Sequence, residues 1–389
     1  MGFKFIDLCS GIGAFHLGLK ELGGTCVYAV EKDKKAAEVY KKNFNIDPLG
    51  DIFEVNEKDI PEHDLLCMGF PCQAFSVGGH KGGFEDARGT LFFEGLRILK
   101  YHRTKYLLLE NVKNLVYHDN GRTWEVIKNS LKGLGYVLTE EPIVLSPHQL
   151  GVPQKRERVF ILGVHKSICN DSYLDIDLNI DPNLEANCSV YSVLDKEVDP
   201  KYNIKEYEKD IIASWEKVCI NLSELPSHIW SDEFGANYDI NEASEWKRGY
   251  IKESRDFYEK NKKFLDKWLK EEKISTYNVR ERKLEWQVKK YGISSIYDTI
   301  IQFRQSGIRC KAPNYFPTLL AIAQTPVIAK YQRRLTPREC ARLQSFPDWF
   351  VLDKKDTNAY KQIGNSINVD VVKWVAQGLK KYGLDIKSK

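Results

Sequence analysis

The sequence predicts a doubly wound α/β fold that carries a second, smaller domain. Three observations support this. Short apolar runs alternate with helical patterns through about residue 165, as successive βαβ units require. A glycine-bearing turn joins the first run to the first helical pattern, the place where such folds bind ligands. Beyond Lys166 the alternation stops, and Asn, Asp, Lys and aromatic residues accumulate. At 389 residues the chain has room for two moderate domains.

KFIDL (4–8) reads as a buried strand, CSGIGAF as a turn, and a helix follows through about Leu22. TCVYAV (25–30) is the second strand, and Lys34 to Phe44 the second helix. DLLCMG (64–69), KYLLLEN (105–111), YVLTEEPIVL (136–145) and RVFILGV (158–164) read as further strands, with helices near 91–102 and 123–134. The glycine-rich segment 71–90 has neither a helical nor a strand period, which marks a functional loop. In the second region Trp246, Tyr250, Phe257, Phe264, Leu265 and Trp268 fall at helical spacing. They predict one long amphipathic helix whose aromatic stripe packs into a core. TPREC (336–340) reads as a helix start. NSINVDVVKWVAQGLKKYG (365–383) reads as a final helix whose Ile367, Val371, Val372, Val375 and Leu379 dock onto the first domain's sheet. The expected domains are 1–167, 168–332 and a returning segment 333–389.

Composition narrows the function. With 42% hydrophobic and 29% charged residues, the chain is not a disordered one. It has no apolar run of the roughly 20 residues that span a bilayer, and MGFKFIDL does not read as a signal peptide, so none is expected. The expected location is cytoplasmic. Nine cysteines form no CxxC pair, so no metal site is expected. Net charge is only +4, but residues 246–290 hold fifteen Lys and Arg against eight Asp and Glu. Such a block is either a surface for a polyanion or a solvated helical face.

Four short motifs carry chemistry. In FIDLCSGIGAF a strand ending near Asp7 meets a turn with Gly11 and Gly13, and Phe15–His16 stand where a dinucleotide fingerprint has its third glycine. That favours a nucleoside without a pyrophosphate, with Glu31 placed to take ribose hydroxyls. GFPCQAFS puts Cys72 on a Pro-containing turn at the end of the DLLCMG strand, a nucleophile position. LLLENV ends the next strand in Glu110, and QKRERVF puts Arg156 and Arg158 two apart on one face of an entering strand. A thiol, a carboxylate and two guanidiniums converging on one sheet edge make a poor core and a plausible active site.

These motifs, with RRLTPRECARLQSFPD (333–348) and QIGNSINVDVV (362–372), resemble the cytosine-C5 DNA methyltransferase family of bacterial restriction–modification systems, in the family's order. Cys9 and Ser10 depart from the aromatic or alanine side chains more usual there. The resemblance implies a Rossmann-like S-adenosylmethionine-dependent methyltransferase sheet with a target-recognition domain over 168–332. It implies that Cys72 adds to C6 of a cytosine flipped out of duplex DNA, that Glu110 serves ring N3 and that Arg158 holds O2. Arg156 would support Glu110 or a phosphate. The segment from Gln73 to Thr90 would close as a lid.

By the same resemblance Asp7, Gly11, Gly13, Phe15, Glu31, Lys32, Asp51, Ile52, Pro71, Leu91 and Asn365 would hold S-adenosylmethionine and release S-adenosylhomocysteine, with Gly364 supplying a tight turn. Gln73, Ser76, Arg88, Thr318 and Leu319 would meet DNA. Arg304, Gln305 and Arg309 in FRQSGIRCK are candidates for base edges, since Arg suits guanine and Gln adenine. They serve equally well as phosphate contacts. The protein is expected to act as a monomer on duplex DNA, without a membrane, in functional pairing with a restriction endonuclease. A tRNA methyltransferase of the same fold and an inactive binding protein are the alternatives. The intact Cys72, Glu110 and Arg158 argue against the second.

Overall fold

The computed structural model describes residues 2–70, 91–322 and 324–387. The chain divides into two compact units. The first is Met1–Cys188, Thr318–Ala323 and Pro337–Lys389, and the second is Ser189–Pro317 and Gln324–Thr336. Residues 168–188 and 318–323, expected in the second domain, thus fall in the first unit, and 333–336 fall in the second. Hydrogen bonding gives the reason for 168–188. Leu174 N–H donates to Leu138 O at 2.8 Å and Trp374 Nε1 to Leu178 O at 2.6 Å, which ties this stretch to the sheet and the final helix.

The first unit holds a seven-stranded sheet. Its elements run β1 (Lys4–Leu8), α1 (Ala14–Glu21), β2 (Thr25–Val30), α2 (Lys34–Phe44), β3 (Leu65–Gly69), α3 (Leu91–His102), β4 (Tyr106–Val112), α4 (Arg122–Gly133), β5 (Tyr136–Leu138), β6 (Ile143–Leu145) and β7 (Arg158–His165). The order is β2-β1-β3-β4-β7-β5, with β6 also on β7. The first four strands in that order are parallel, and β7 runs antiparallel to β4, β5 and β6. Helices cover both faces of such a sheet, so its central strands carry continuous apolar runs. Leu65, Leu66, Leu107, Leu108, Phe160 and Leu162 are fully buried.

Two expectations change here. YVLTEEPIVL forms two strands rather than one, because exposed Glu140 and Glu141 and the donor-less Pro142 interrupt pairing to β7. The final helix starts at Val369, not at residue 365, with the Asn368 side chain capping Val371 N–H at 3.0 Å. A separate helix, Asp356–Asn365, precedes it. The final helix packs on α1, where a Cβ on Gly18 would stand 3.0 Å from Val372 Cγ1, while Ile367 just ahead of it reaches β3, its Cδ1 lying 3.6 Å from where a Cβ on Gly69 would stand.

The second unit is built on a six-stranded sheet of β8 (His228–Trp230), β9 (Lys283–Trp286), β10 (Ile300–Arg304), β11 (Gly307–Lys311), β12 (Val327–Ile328) and β13 (Arg333–Arg334), in the order β13-β12-β10-β11-β9-β8. Its inner face buries Ile229, Leu284, Ile301, Phe303, Ile308 and Cys310 with Trp215 of helix Glu206–Asn221 and Trp268 of helix Glu245–Glu271. The long helix matches expectation over most of its length and kinks at Asn261. Its aromatic stripe is core at Phe257, Leu265 and Trp268, but Trp246 is 62% exposed. Tyr250 stacks on His228 at 3.6 Å between ring centroids.

Candidate active site

The site forms where the parallel strands end. Beyond β1 the chain turns sharply: Cys9, Gly11 and Gly13 all have positive φ, at 55°, 55° and 93°. Gly13 N–H closes the turn on Ser10 O at 2.9 Å. The residue requirement differs between the glycines. At Gly13 a Cβ would meet the Phe44 ring at 2.2 Å, whereas at Gly11 it would meet nothing within 4 Å. Gly13 is therefore a packing glycine against α2, and Gly11 leaves space at the cavity.

Glu31, just past β2, is clamped by backbone. Its Oε2 accepts the Gly11 N–H and its Oε1 the Asp33 N–H, both at 2.7 Å. Burial pushes the Glu31 carboxyl up from its ordinary value, against the pull of those N–H groups. Each carboxylate oxygen keeps a further lone pair for a ligand hydroxyl.

Two cavities meet at this turn. One, of about 410 Å³, is walled by Cys9, Gly11, Phe15, Glu31, Phe70, Glu110, Arg156, Arg158 and Asn365, among others. The other, of about 220 Å³, is walled by Val30, Lys32, Asp51, Ile52, Phe53 and Leu91, and shares Cys9 and Glu31 with the first. Gly11, Phe15, Glu31 and Asn365 thus line one cavity, and Lys32, Asp51, Ile52 and Leu91 its neighbour. Lys32 Nζ pairs with Asp51 at 2.6 Å, and Asp51 also accepts the Phe53 N–H at 3.2 Å.

Asp7 and Gly13 line neither cavity. Asp7 is fully buried, and that burial drives its carboxyl well above the ordinary range, with the Glu31 charge adding to the effect. Strand alternation turns its side chain to the Phe5 face of β1, while Ile6 and Leu8 take the other.

At the opposite wall, Arg158 Nε lies 3.2 Å from Glu110 Oε1. Glu110 is pushed up by burial, and the Arg158 and Arg156 charges oppose the shift. Gly69 of β3 pairs with Glu110 of β4. Phe70 N–H donates to Glu110 O at 3.4 Å, and Asn111 Nδ2 to Phe70 O at 2.7 Å. Asn111 was not singled out in the sequence. Its place in the ENV tripeptide was the available signal, and it anchors the residue two before Cys72.

Arg156 departs from expectation. It precedes β7 and does not share a strand face with Arg158. Its guanidinium is buried and donates to the carbonyls of Leu319 at 2.9 Å, Gly364 at 2.7 Å and Ser366 at 2.9 Å. Burial and the Arg158 charge pull its pKa down to about 9. It braces backbone, and its charge also acts on Glu110. Thr318 and Leu319 are tied into the same brace, for Thr318 Oγ1 donates to Lys155 O at 2.9 Å. Gly364 lies within a helix rather than in a turn, and a Cβ there would strike Leu320 O at 2.3 Å. It is glycine because two backbones touch.

Cys72, Pro71, Gln73, Ser76, Arg88 and the expected lid lie outside the described residues. Burial raises the thiol pKa of Cys9, Cys26, Cys67, Cys188, Cys219, Cys310 and Cys340, which keeps these thiols protonated and poor nucleophiles. Among the described residues no His, Cys, Asp and Glu cluster suited to a metal occurs. No helix there is long and apolar enough to cross a membrane.

In the second unit, Gln305 is exposed at the two-residue tip of the β10–β11 hairpin. Arg304 and Arg309 both reach Glu285, at 3.4 and 2.5 Å.

A parallel sheet with one reversed strand, and a glycine turn and clamped carboxylate at its ligand edge, is the architecture of a methyltransferase. The comparisons make this specific. The model of the C-5 cytosine-specific DNA methylase family matches residues 3–381. The Type II methyltransferase M.HhaI of Haemophilus parahaemolyticus is 34% identical, over 97% of this chain and 94% of that protein. M.HpaII of Haemophilus parainfluenzae is 35% identical, over 95% and 87%. Among solved structures, Spodoptera frugiperda DNMT2 shares the fold, with a TM-score of 0.57 at 20% identity over 97% of this chain and 100% of the other. The chain belongs to the C-5 cytosine-specific DNA methylase family and is an enzyme of the DNA (cytosine-5-)-methyltransferase class.

Proposed function

We propose that the protein transfers a methyl group from S-adenosylmethionine to C5 of a cytosine flipped out of a specific duplex DNA site, through a covalent bond between Cys72 and C6. The observation that carries this reading is the Glu110–Arg158 pair on the cavity wall, next to the strand end that leads into Cys72.

The cavity residues suit the cofactor. Glu31 offers a backbone-held carboxylate to ribose hydroxyls, Ile52, Leu91 and Val30 offer an apolar shelf to the adenine, and Phe15, Gly11 and Asn365 border the methionine side. When bound, S-adenosylmethionine supplies an electrophilic methyl group.

The protein's part is to make cytosine C5 nucleophilic. The Cys72 thiolate would add to C6 and push the C5–C6 π electrons onto C5, where bound S-adenosylmethionine would supply the methyl group, its S–CH3 bond breaking to leave S-adenosylhomocysteine. Glu110, its carboxyl raised by burial, donates a proton or hydrogen bond to N3, and Arg158 donates to O2, so ring charge is neutralised as it develops. Loss of the C5 proton to a base then expels the thiolate. The cytosine must leave the stack for any of these groups to reach it.

The relatives' names, Type II methyltransferases, support a place in restriction–modification, and functional pairing with a cognate endonuclease is proposed on that basis. The second unit is proposed as the recognition domain. Mapping methylated cytosines by bisulfite conversion in DNA treated with the purified protein tests this reading. One defined, modified motif is the expected result, and transfer to tRNA but not to duplex DNA would overturn it.

A further inference from the structure

The outer face of the second sheet carries a polar row that crosses four strands in register. Gln302 of β10 pairs with Arg309 of β11, Arg309 with Glu285 of β9, and Glu285 with His228 of β8. The alternate residues of these strands, including Ile301, Phe303, Ile308 and Leu284, fill the core, so the row points away from it.

Glu285 is the most deeply buried member of the row, with a side chain only 7% exposed. Three donors meet its carboxylate: Arg309 Nε at 2.5 Å, Ser306 Oγ at 3.2 Å, and Arg304 Nη1 at 3.4 and 3.5 Å to its two oxygens. The two arginines are not held alike. Arg309 is gripped closely through Nε alone, and among the described residues its two terminal amino groups have no hydrogen-bond partner. Arg304 spends a terminal nitrogen on a long contact and is more exposed, at 37% against 25%.

A guanidinium restrained at Nε keeps its terminal fork, and that fork matches O6 and N7 of guanine. Restraint also removes rotamer freedom before binding, so less is lost on contact. A lone carboxylate facing DNA would repel phosphate; here two guanidiniums neutralise it.

We infer that Glu285 is a positioning residue for sequence recognition, orienting Arg309 to read one guanine of the target site. This rests on the reading of the second unit as the recognition domain. Arg304 is the accessory cation that completes the charge balance.

The test is methylation of a randomised duplex library by the full-length protein and its Arg309→Lys and Glu285→Gln variants. S-adenosylmethionine affinity and the melting temperature are followed in parallel. Lysine keeps the charge but lacks the fork, and glutamine keeps the shape but loses the charge-assisted grip. Both variants are expected to relax the same single G·C pair, by about ten- to a hundredfold in preference, with cofactor affinity unchanged. Should Glu285→Gln fail to fold, Glu285→Asp reads the same pair, because it keeps the charge but withdraws the carboxylate by one methylene.

Unchanged base preference in the folded Glu285 variant would overturn the inference. So would an even loss over all sequences with a shallower salt dependence, which would mark Arg309 as a phosphate contact. Both results differ from failure of the underlying reading, in which the wild-type protein itself would methylate no defined duplex site.

Discussion

Arg158 and Glu110 meet at 3.2 Å although 48 residues apart in the chain, because β7 enters the sheet antiparallel to β4. The start of one strand therefore lies beside the end of the other, with Val112 paired to Arg158 and Glu110 to Phe160. A parallel β7 would have put the arginine at the far edge of the sheet, a strand length away from the cavity.

Glu110→Gln keeps a hydrogen-bonding group at the N3 position but removes the proton donor. It should lower kcat by about a hundredfold or more, in the range for general acids, while the KM for S-adenosylmethionine changes little. Steady-state kinetics check this. An unaltered kcat would mean that Glu110 only anchors Arg158.

Cys72→Ser should abolish turnover while leaving duplex binding largely intact, since the oxygen is a far weaker nucleophile for C6. Duplex containing 5-fluorocytosine should trap the wild-type protein in a denaturation-resistant complex, because fluorine at C5 cannot leave as a proton does. Near-normal transfer by the serine variant would remove Cys72 from the mechanism.

Glu31→Ala should weaken S-adenosylmethionine binding by about 1–3 kcal/mol, the range for charge-assisted hydrogen bonds. Titration calorimetry without DNA reads it directly, and unchanged affinity would place the ribose contact elsewhere.

The same carboxylate sets a pH dependence. Burial raises the folded pKa of Glu31 above its unfolded value, so the folded state holds the proton more tightly. Its contribution to stability is fully present below the ordinary glutamate pKa and is lost as pH rises through the raised one. The melting temperature of Glu31→Gln, measured against wild type without cofactor, should therefore gain on wild type as pH increases through that window. A difference independent of pH would contradict the shift.

Arg156→Ala leaves the carbonyls of Leu319, Gly364 and Ser366 without their donor. At about 1–3 kcal/mol for each buried group left unsatisfied, the variant should lose about 3 kcal/mol or more. Denaturant unfolding measures this. A variant of normal stability but no activity would instead place Arg156 in the chemistry.

Most strands of the first unit and their ligand edge were legible in the sequence, YVLTEEPIVL with its two strands excepted, and so were Glu31, Glu110 and Arg158 as polar groups at that edge. The reason is local: apolar runs buried on both faces and a glycine turn with positive φ leave direct marks on composition. The family resemblance was legible in the same way, from short motifs in order. Tertiary structure decided what each polar group is paired with. Arg156 and Arg158 are two residues apart, yet one is spent on backbone carbonyls and the other on the Glu110 carboxylate. Gly364 looked like a turn residue, but it is required by a segment more than 40 residues away. The second sheet was hidden because its strands are two to five residues long and pair across large separations, too short for a period of two to register. Arg304 and Arg309 could be read as cations in the sequence. That they share the buried Glu285, and that only Arg309 keeps its whole terminal fork free among the described residues, depends on the register of β9 against β11.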